Sequence, residues 1–293
     1  MRFLLPFCLF AGIPLTVTAQ ARPLRVFVSV DMEGIGGIGT PAMTSAAGKD
    51  YATGRALMTA EVNAVVEAVF AHGPAEVLVN DSHGDMQNLL HTQLDPRVRY
   101  IQGSIKPFGM AQGLDSTFDA VIFVGYHARA GTEDGFIAHT GSGTVSGLWI
   151  NGTEVGEGGL NALYAGSLGV PVLVASGDAA FDREITALVP GIRTVVTKQA
   201  VGSMVAVLVH PDTVKARLQD QVRAALANRA AARPLPASGA VTVRLRFDTT
   251  TRADIVEVIP GVRRIDGTTV EWRAGSMREA YPMVRLMYRY VSW

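Results

Sequence analysis

Three separate apolar runs in this chain each stop at an acid or an imidazole. Leu24 to Val30 runs into Asp31-Met32-Glu33-Gly34, Val77-Leu78-Val79 into Asn80-Asp81-Ser82-His83, and Val121-Ile122-Phe123-Val124 into Gly125-Tyr126-His127. Short continuous apolar runs are strands buried on both faces, and a sheet buried on both faces is a mostly parallel one covered by helices. Strands are predicted at 24–31, 75–80, 98–102, 119–126, 145–150, 170–175 and 193–198. Between them, Ala56, Leu57, Ala60, Val62, Val65, Val66, Val69 and Phe70 carry a helical period over 50–71, which stops at His72-Gly73-Pro74. Further helices are predicted over 157–168 and 179–188. The fold class is α/β, with a mixed, mostly parallel sheet flanked by helices. Asn151-Gly152 is a hairpin-turn signal, so one antiparallel excursion is expected to interrupt the parallel order. Beyond it come a helix from Pro211 to Ala232, a connector over 233–239, a strand at 240–248, short elements to 273 and a last helix at 275–290. Residues 22–200 thus read as a catalytic α/β domain, and 201–293 as a smaller C-terminal α+β region packed on it.

The 293 residues are 48% hydrophobic and 18% charged, enough to bury a full core, and carry a formal net charge of zero. No basic field is present to attract nucleic acid or an anionic membrane. Residues 1–19 have the layout of a secretory signal peptide: Arg2, the apolar run Phe3 to Val17, then Thr18-Ala19-Gln20-Ala21, with acceptable cleavage after Ala19 or Ala21. The run is shorter than the roughly 20 residues of a spanning helix and contains Pro6 and Pro14. The mature chain is expected to be periplasmic or secreted and free of the membrane. Cys8 is the only cysteine and lies in that segment. The mature chain therefore has no disulfide, cysteine nucleophile or thiolate metal site, and any metal must be held by His, Asp and Glu.

Side chains two apart on extended backbone point the same way, so Asp31 and Glu33 converge on one point. Ligand sites of open α/β sheets lie outside the carboxyl ends of the strands, where Asp81, His83 and His127 share the crevice with them. Singly, each residue also suits a turn or a cap; jointly, they point to a divalent cation. His139 lies beyond the polar loop Arg129 to Asp134, as a loop histidine or part of the same group. Glu157 opens a helix between glycines, where an acid also suits the helix dipole. Gly34, Gly36 and Gly39 satisfy a dinucleotide-binding spacing, but Thr40-Pro41-Ala42 continues as loop and the two acids would face a pyrophosphate. The glycines read instead as a turn leaving room for metal and substrate.

Five segments in order resemble the bacterial zinc D-aminopeptidases of the DppA type: Ser29-Val30-Asp31-Met32-Glu33-Gly34, Val79-Asn80-Asp81-Ser82-His83, Gly125-Tyr126-His127-Ala128-Arg129-Ala130, His139, and Val155-Gly156-Glu157-Gly158-Gly159-Leu160-Asn161-Ala162. The resemblance implies a metallo-aminopeptidase acting on short D-Ala-D-Ala-like peptides. It also implies two Zn2+ per subunit on Asp31, Glu33, His83, His127 and Glu157, with Asp31 as the bridge, a catalytic His139, and a homo-oligomer, a ring-shaped decamer. Mn2+ or Co2+ also suits such ligands. A pair of cations polarises a scissile carbonyl and lowers the pKa of bound water, and one of them can hold the substrate's free amine. His139 is then a nucleophile or a proton shuttle, and Asn80, Asp81 and Arg129 are candidates to orient the histidines or hold a substrate carboxylate. A binuclear phosphoesterase and a non-catalytic peptide-binding protein are the alternatives.

Overall fold

A computed structural model describes residues 22–292; the predicted signal segment lies outside the described residues. The chain runs β1 (Leu24–Val30), α1 (Tyr51–His72), β2 (Ala75–Asp81), β3 (Arg99–Ile101), β4 (Ala120–Tyr126), β5 (Val145–Ile150), β6 (Thr153–Glu154), α2 (Glu157–Ser167) and β7 (Val172–Asp178). It continues through α3 (Ala179–Leu188), β8 (Arg193–Gly202), β9 (Val205–Leu208), α4 (Pro211–Ala227), β10 (Val241–Phe247), α5 (Thr250–Glu257), β11 (Arg263–Arg264), β12 (Thr269–Ala274) and α6 (Met277–Tyr290). The helix predicted from Pro211 to 232 ends earlier, at Ala227, and a short 3-10 turn at Arg229–Ala231 follows it.

Seven strands in the order β3-β2-β1-β4-β7-β8-β9 form the main sheet. The first six are parallel and β9 returns antiparallel to β8. Strand order reverses between β1 and β4, which opens a crevice at their carboxyl ends. Alternation along β1 sorts the two cores: Val26, Val28 and Val30 share one cluster with Val62 and Val65 of α1 and Leu218 and Val222 of α4. Phe27 faces the other way, into a second cluster with Phe123, Leu160 of α2 and Phe181 of α3.

That second core also contains the inner face of a separate antiparallel sheet, β11-β12-β10-β5-β6, and one side of α6. The Asn151-Gly152 hairpin forms as predicted, but it joins this second sheet and does not interrupt the parallel one. A turn signal fixes local chain reversal and carries no information on which strand is met next. The antiparallel strand of the main sheet is β9. The second sheet draws β5 and β6 from before residue 200 and β10 to β12 from after it, while α4 packs on α1.

Helix α6 starts at a reciprocal cap. Ser276 Oγ accepts from the Glu279 N–H (3.3 Å), and Glu279 Oε2 accepts from the Gly275 N–H (2.7 Å). A buried hydrogen-bonded chain then ties it to the main sheet. Tyr281 Oη bonds Asn161 Oδ1, Asn161 Nδ2 donates to Tyr126 Oη (2.9 Å), and Tyr126 Oη meets Ser29 Oγ (2.7 Å). This chain seats α6 beside the carboxyl end of β1.

Candidate metal centre

The crevice between β1 and β4 gathers six acid and imidazole side chains in two groups, Asp31, Glu33 and His83 in one and His127, His139 and Glu157 in the other. Asp31 faces both. Its Oδ1 lies 3.3 Å from His83 Nδ1, and its Oδ2 lies 3.4 Å from His127 Nε2. Glu33 Oε2 is 3.0 Å from His83 Nδ1, and the two oxygens of Glu157 lie 3.6 Å from His127 Nε2 and 3.7 Å from His139 Nε2. Of the sequence-predicted site residues, Asp31, Glu33, His83, His127, His139 and Glu157 are therefore brought together, and Asp81 is not among them. His139 is no free loop residue: its ring stacks on His127 with centroids 4.1 Å apart.

Each imidazole is held by a backbone carbonyl through the nitrogen that points away from the centre. His83 Nε2 bonds Thr44 O (2.7 Å), His127 Nδ1 bonds Ala128 O (2.9 Å), and His139 Nδ1 bonds Ile137 O (2.9 Å). A proton on each outer nitrogen leaves the inner lone pair free, the arrangement of a metal-ligating histidine. Two inner atoms, Asp31 Oδ2 and His127 Nε2, are buried with no hydrogen-bond partner. Buried polar atoms are rarely left unpaired, and a cation between these two satisfies both. Three carboxylates and nitrogen donors without sulfur fit zinc and its divalent substitutes.

The charges of the metal-free centre record the same crowding. Burial and the neighbouring Glu33 carboxylate push Asp31 up to about 7. Burial opposes ionisation of Glu157 as well, yet the His127 cation beside it, with His139 and the Gly141 N–H, holds it at about 2. Burial works against charge on His83 and His127, but Glu33 and Glu157 respectively raise both well above the usual imidazole range. Asp31 and the two histidines thus hold more protons near pH 6–7 than they do unfolded, so their contribution to metal-free stability falls as pH rises. The depressed Glu157 contributes fully above its unfolded pKa, and so is constant in that window. Zinc must displace those protons, at roughly 1.4 kcal/mol per proton per pH unit. The zinc-induced rise in Tm is expected to be several degrees greater at pH 8 than at pH 6; scanning fluorimetry that finds it constant or smaller at pH 8 contradicts this ligand set.

Two buried lysines, neither singled out by sequence, fix the loops that carry the ligands. Lys198, at 1% exposure on β8, bonds the carbonyls of Glu33, Ile35 and Ile38. Lys106 bonds Asn80 Oδ1, Asp81 O and Ile101 O. The glycines behind Glu33 serve this packing: a β-carbon on Gly34 would stand 1.9 Å from Tyr126 O, and the Gly36 N–H donates to Glu61 Oε1 (2.6 Å). No helix begins within them, as the rejected dinucleotide site would require.

The predicted supporting residues act differently from expectation. Asp81 is a loop acceptor, taking the Asn88 and Leu89 N–H groups and Gln102 Nε2, and it touches no imidazole. Asn80 bonds Ser82, Gly109 O and Lys106. Arg129 pairs with Glu154 and Glu184, lining a different cavity from the histidines, so its charge is already matched. Sequence reading missed the wall supplied by α6. Arg285, Tyr288 and Arg289 line a cleft of about 230 Å³ with Asp31, His83, His139 and Glu157. The available signal was Arg285 lying on the apolar face set by Tyr281, Val284 and Tyr288.

Two groups of carboxylates and imidazoles, with Asp31 facing both beside a cleft at a strand-order reversal, make the site of a metal-dependent hydrolase. The chain belongs to the Peptidase_M55 family, D-aminopeptidase, which it matches over residues 24–286. It is 36% identical over 265 residues to the D-aminopeptidase of Bacillus subtilis (strain 168), covering 90% of this chain and 96% of that one. It also superposes, with a TM-score of 0.88 and 36% identity, on the solved structure of "Zn-dependent D-aminopeptidase DppA from Bacillus subtilis, a self-compartmentalizing protease", covering 91% and 97% of the two chains.

Proposed function

We propose that this protein is a zinc-dependent D-aminopeptidase that removes the N-terminal residue of short, D-Ala-D-Ala-like peptides at a two-zinc centre. The observation that carries the reading is Asp31, whose two oxygens face two separate ligand groups. Asp31, Glu33 and His83 would hold one ion, and Asp31, His127 and Glu157 the other. When bound, zinc supplies a Lewis acid that polarises the scissile carbonyl and lowers the pKa of water toward about 7. The chain's own residues do the rest. His139 presents an unencumbered Nε2 to the cleft, with its ring fixed by Ile137 O and by the stack on His127. That nitrogen takes a proton from the water that attacks the amide carbon and passes it to the leaving amine as the C–N bond breaks. Glu157 Oε1 accepts from the Gly141 N–H (2.6 Å), which keeps the segment bearing His139 against the ligands. Met86, Met110 and Tyr288 supply apolar and aromatic walls to the cleft.

Assembly into a homo-oligomer, a decamer in the ring form, is part of this reading. It is supported by the self-compartmentalizing relative and by the exposed apolar side chains Val201, Met204, Val205 and Val207 at the β8–β9 edge. Export rests on the signal-like N-terminal segment. Metal analysis paired with hydrolysis of D-Ala-D-Ala and L-Ala-L-Ala tests the function. The expected result is two zinc per subunit, cleavage of the D-peptide, loss of activity on chelation and recovery with zinc. Full activity after complete chelation, or a phosphate-releasing activity with no peptide cleavage, rejects it.

A further inference from the structure

Arg285 is a cation with no anion. It is 6% exposed, and it lines the cleft that holds the metal ligands. Its Nη1 donates to Tyr288 Oη (2.7 Å), its Nε is buried without an acceptor, and among the described residues no carboxylate pairs with it. The fold makes room for it: a β-carbon on Gly109 (φ +38°) would lie 2.1 Å from Nη1. Burying a guanidinium is costly, and doing so without a counter-charge leaves unmatched positive charge in the wall of the cleft. The acids nearby, Asp31, Glu33 and Glu157, face the imidazoles. One turn further along α6, the exposed Arg289 side chain donates to Gly84 O (3.4 Å) and adds positive charge at the cleft rim.

We propose that Arg285 anchors the terminal carboxylate of the substrate, with Arg289 drawing that carboxylate in, so that the enzyme selects very short peptides with a free C-terminus. The proposal rests on the aminopeptidase reading above. An arginine fork matches a carboxylate and forms charge-assisted bonds to it that an amide cannot equal. The amine end of the peptide lies at the metal ligands and the acid end at α6, both within one cleft of about 230 Å³, below the roughly 300–1,000 Å³ of drug-sized pockets. A dipeptide spans roughly 7 Å extended, so a carboxylate anchor in the same small cleft as the metal ligands suits a very short peptide.

The test compares D-Ala-D-Ala with its C-terminal amide. Wild type is expected to favour the free acid by roughly 10- to 100-fold in kcat/KM, as charged hydrogen bonds allow. Arg285→Gln collapses that ratio to near unity, and Arg285→Lys restores part of it, because lysine keeps the charge and loses the fork. An unchanged ratio in Arg285→Gln overturns the proposal, as does an equal loss on both peptides, which marks mere support of the fold. Calorimetric binding of the same two peptides to zinc-loaded His139→Ala protein gives an answer independent of turnover. Tighter binding of the acid, abolished by adding Arg285→Gln, supports the anchor; equal affinity, or no binding of either, overturns it. If wild type cleaves neither peptide, the aminopeptidase reading fails and the binding arm still decides the anchor.

Discussion

Asp31→Asn is expected to lose both zinc ions, whereas Glu33→Gln loses one. Asp31 presents one oxygen to His83 and the other to His127, so its removal opens both groups, while Glu33 meets only His83. Loss of a residue that merely orients a ligand costs 10- to 100-fold in affinity or activity, and loss of a shared ligand costs more. A fall in kcat/KM of about 10⁴ or more is expected, equivalent to roughly 5.5 kcal/mol of transition-state stabilisation. Metal-free stability moves the other way. Asp31 is buried beside Glu33 and Glu157, and the push of its pKa up to about 7 records how poorly a carboxylate sits there without a cation. Metal-free Asp31→Asn should therefore melt above metal-free wild type at pH 8, where the wild-type carboxylate is ionised. Inductively coupled plasma analysis and fluorimetry read the two effects separately. A variant that retains two zinc ions, or that loses one, rejects the shared-ligand role.

His139→Ala is expected to keep its zinc and lose its rate. His139 makes its closest acidic approach at 3.7 Å, to Glu157, and opens onto the cleft. A positioned proton-transfer group contributes typically 10²–10⁴ in rate, so kcat should fall within about that range while KM changes by no more than about threefold. His139 also lies in the same potential ligand group as His127 and Glu157. If zinc content drops by one per subunit, His139 is a ligand and its role in proton transfer is withdrawn; unchanged kcat removes it from the chemistry altogether.

The parts of this molecule that sequence disclosed are those where one residue's neighbours along the chain are also its physical environment. Strands β1, β2 and β4 are buried on both faces and read as uninterrupted apolar runs, so their ends, and with them Asp31, Glu33, His83 and His127, were visible. Glu157 announced itself by opening a helix behind a glycine. His139 lies in irregular chain with no period to place it, and only the family resemblance gave it a role. Lys198 acts across 160 or more positions on a loop early in the chain, and Lys106 reaches back to Asn80 and Asp81, with nothing beside either in sequence to mark a buried cation; Arg285 is marked only by its place on the apolar face of α6. β9 escaped notice because four mostly exposed residues at a sheet edge have little pattern to show. The placement of β5 and β6 in a second sheet depended on a partner strand some 90 residues away.

The reach of Lys198 has a bearing on how the protein comes to exist as a metalloenzyme. The carbonyls it holds, at Glu33, Ile35 and Ile38, precede it by 165, 163 and 160 positions. Contacts of such separation form late, because the intervening chain must be ordered before they are rewarded. The loop carrying Glu33 is held to β4 through the Gly34 N–H on Gly125 O and to β8 through Lys198, so the finished cation site draws on both strands. The geometry of the Glu33 ligand is thereby a property of the completed sheet, and a change at Lys198 is felt at the far end of the chain.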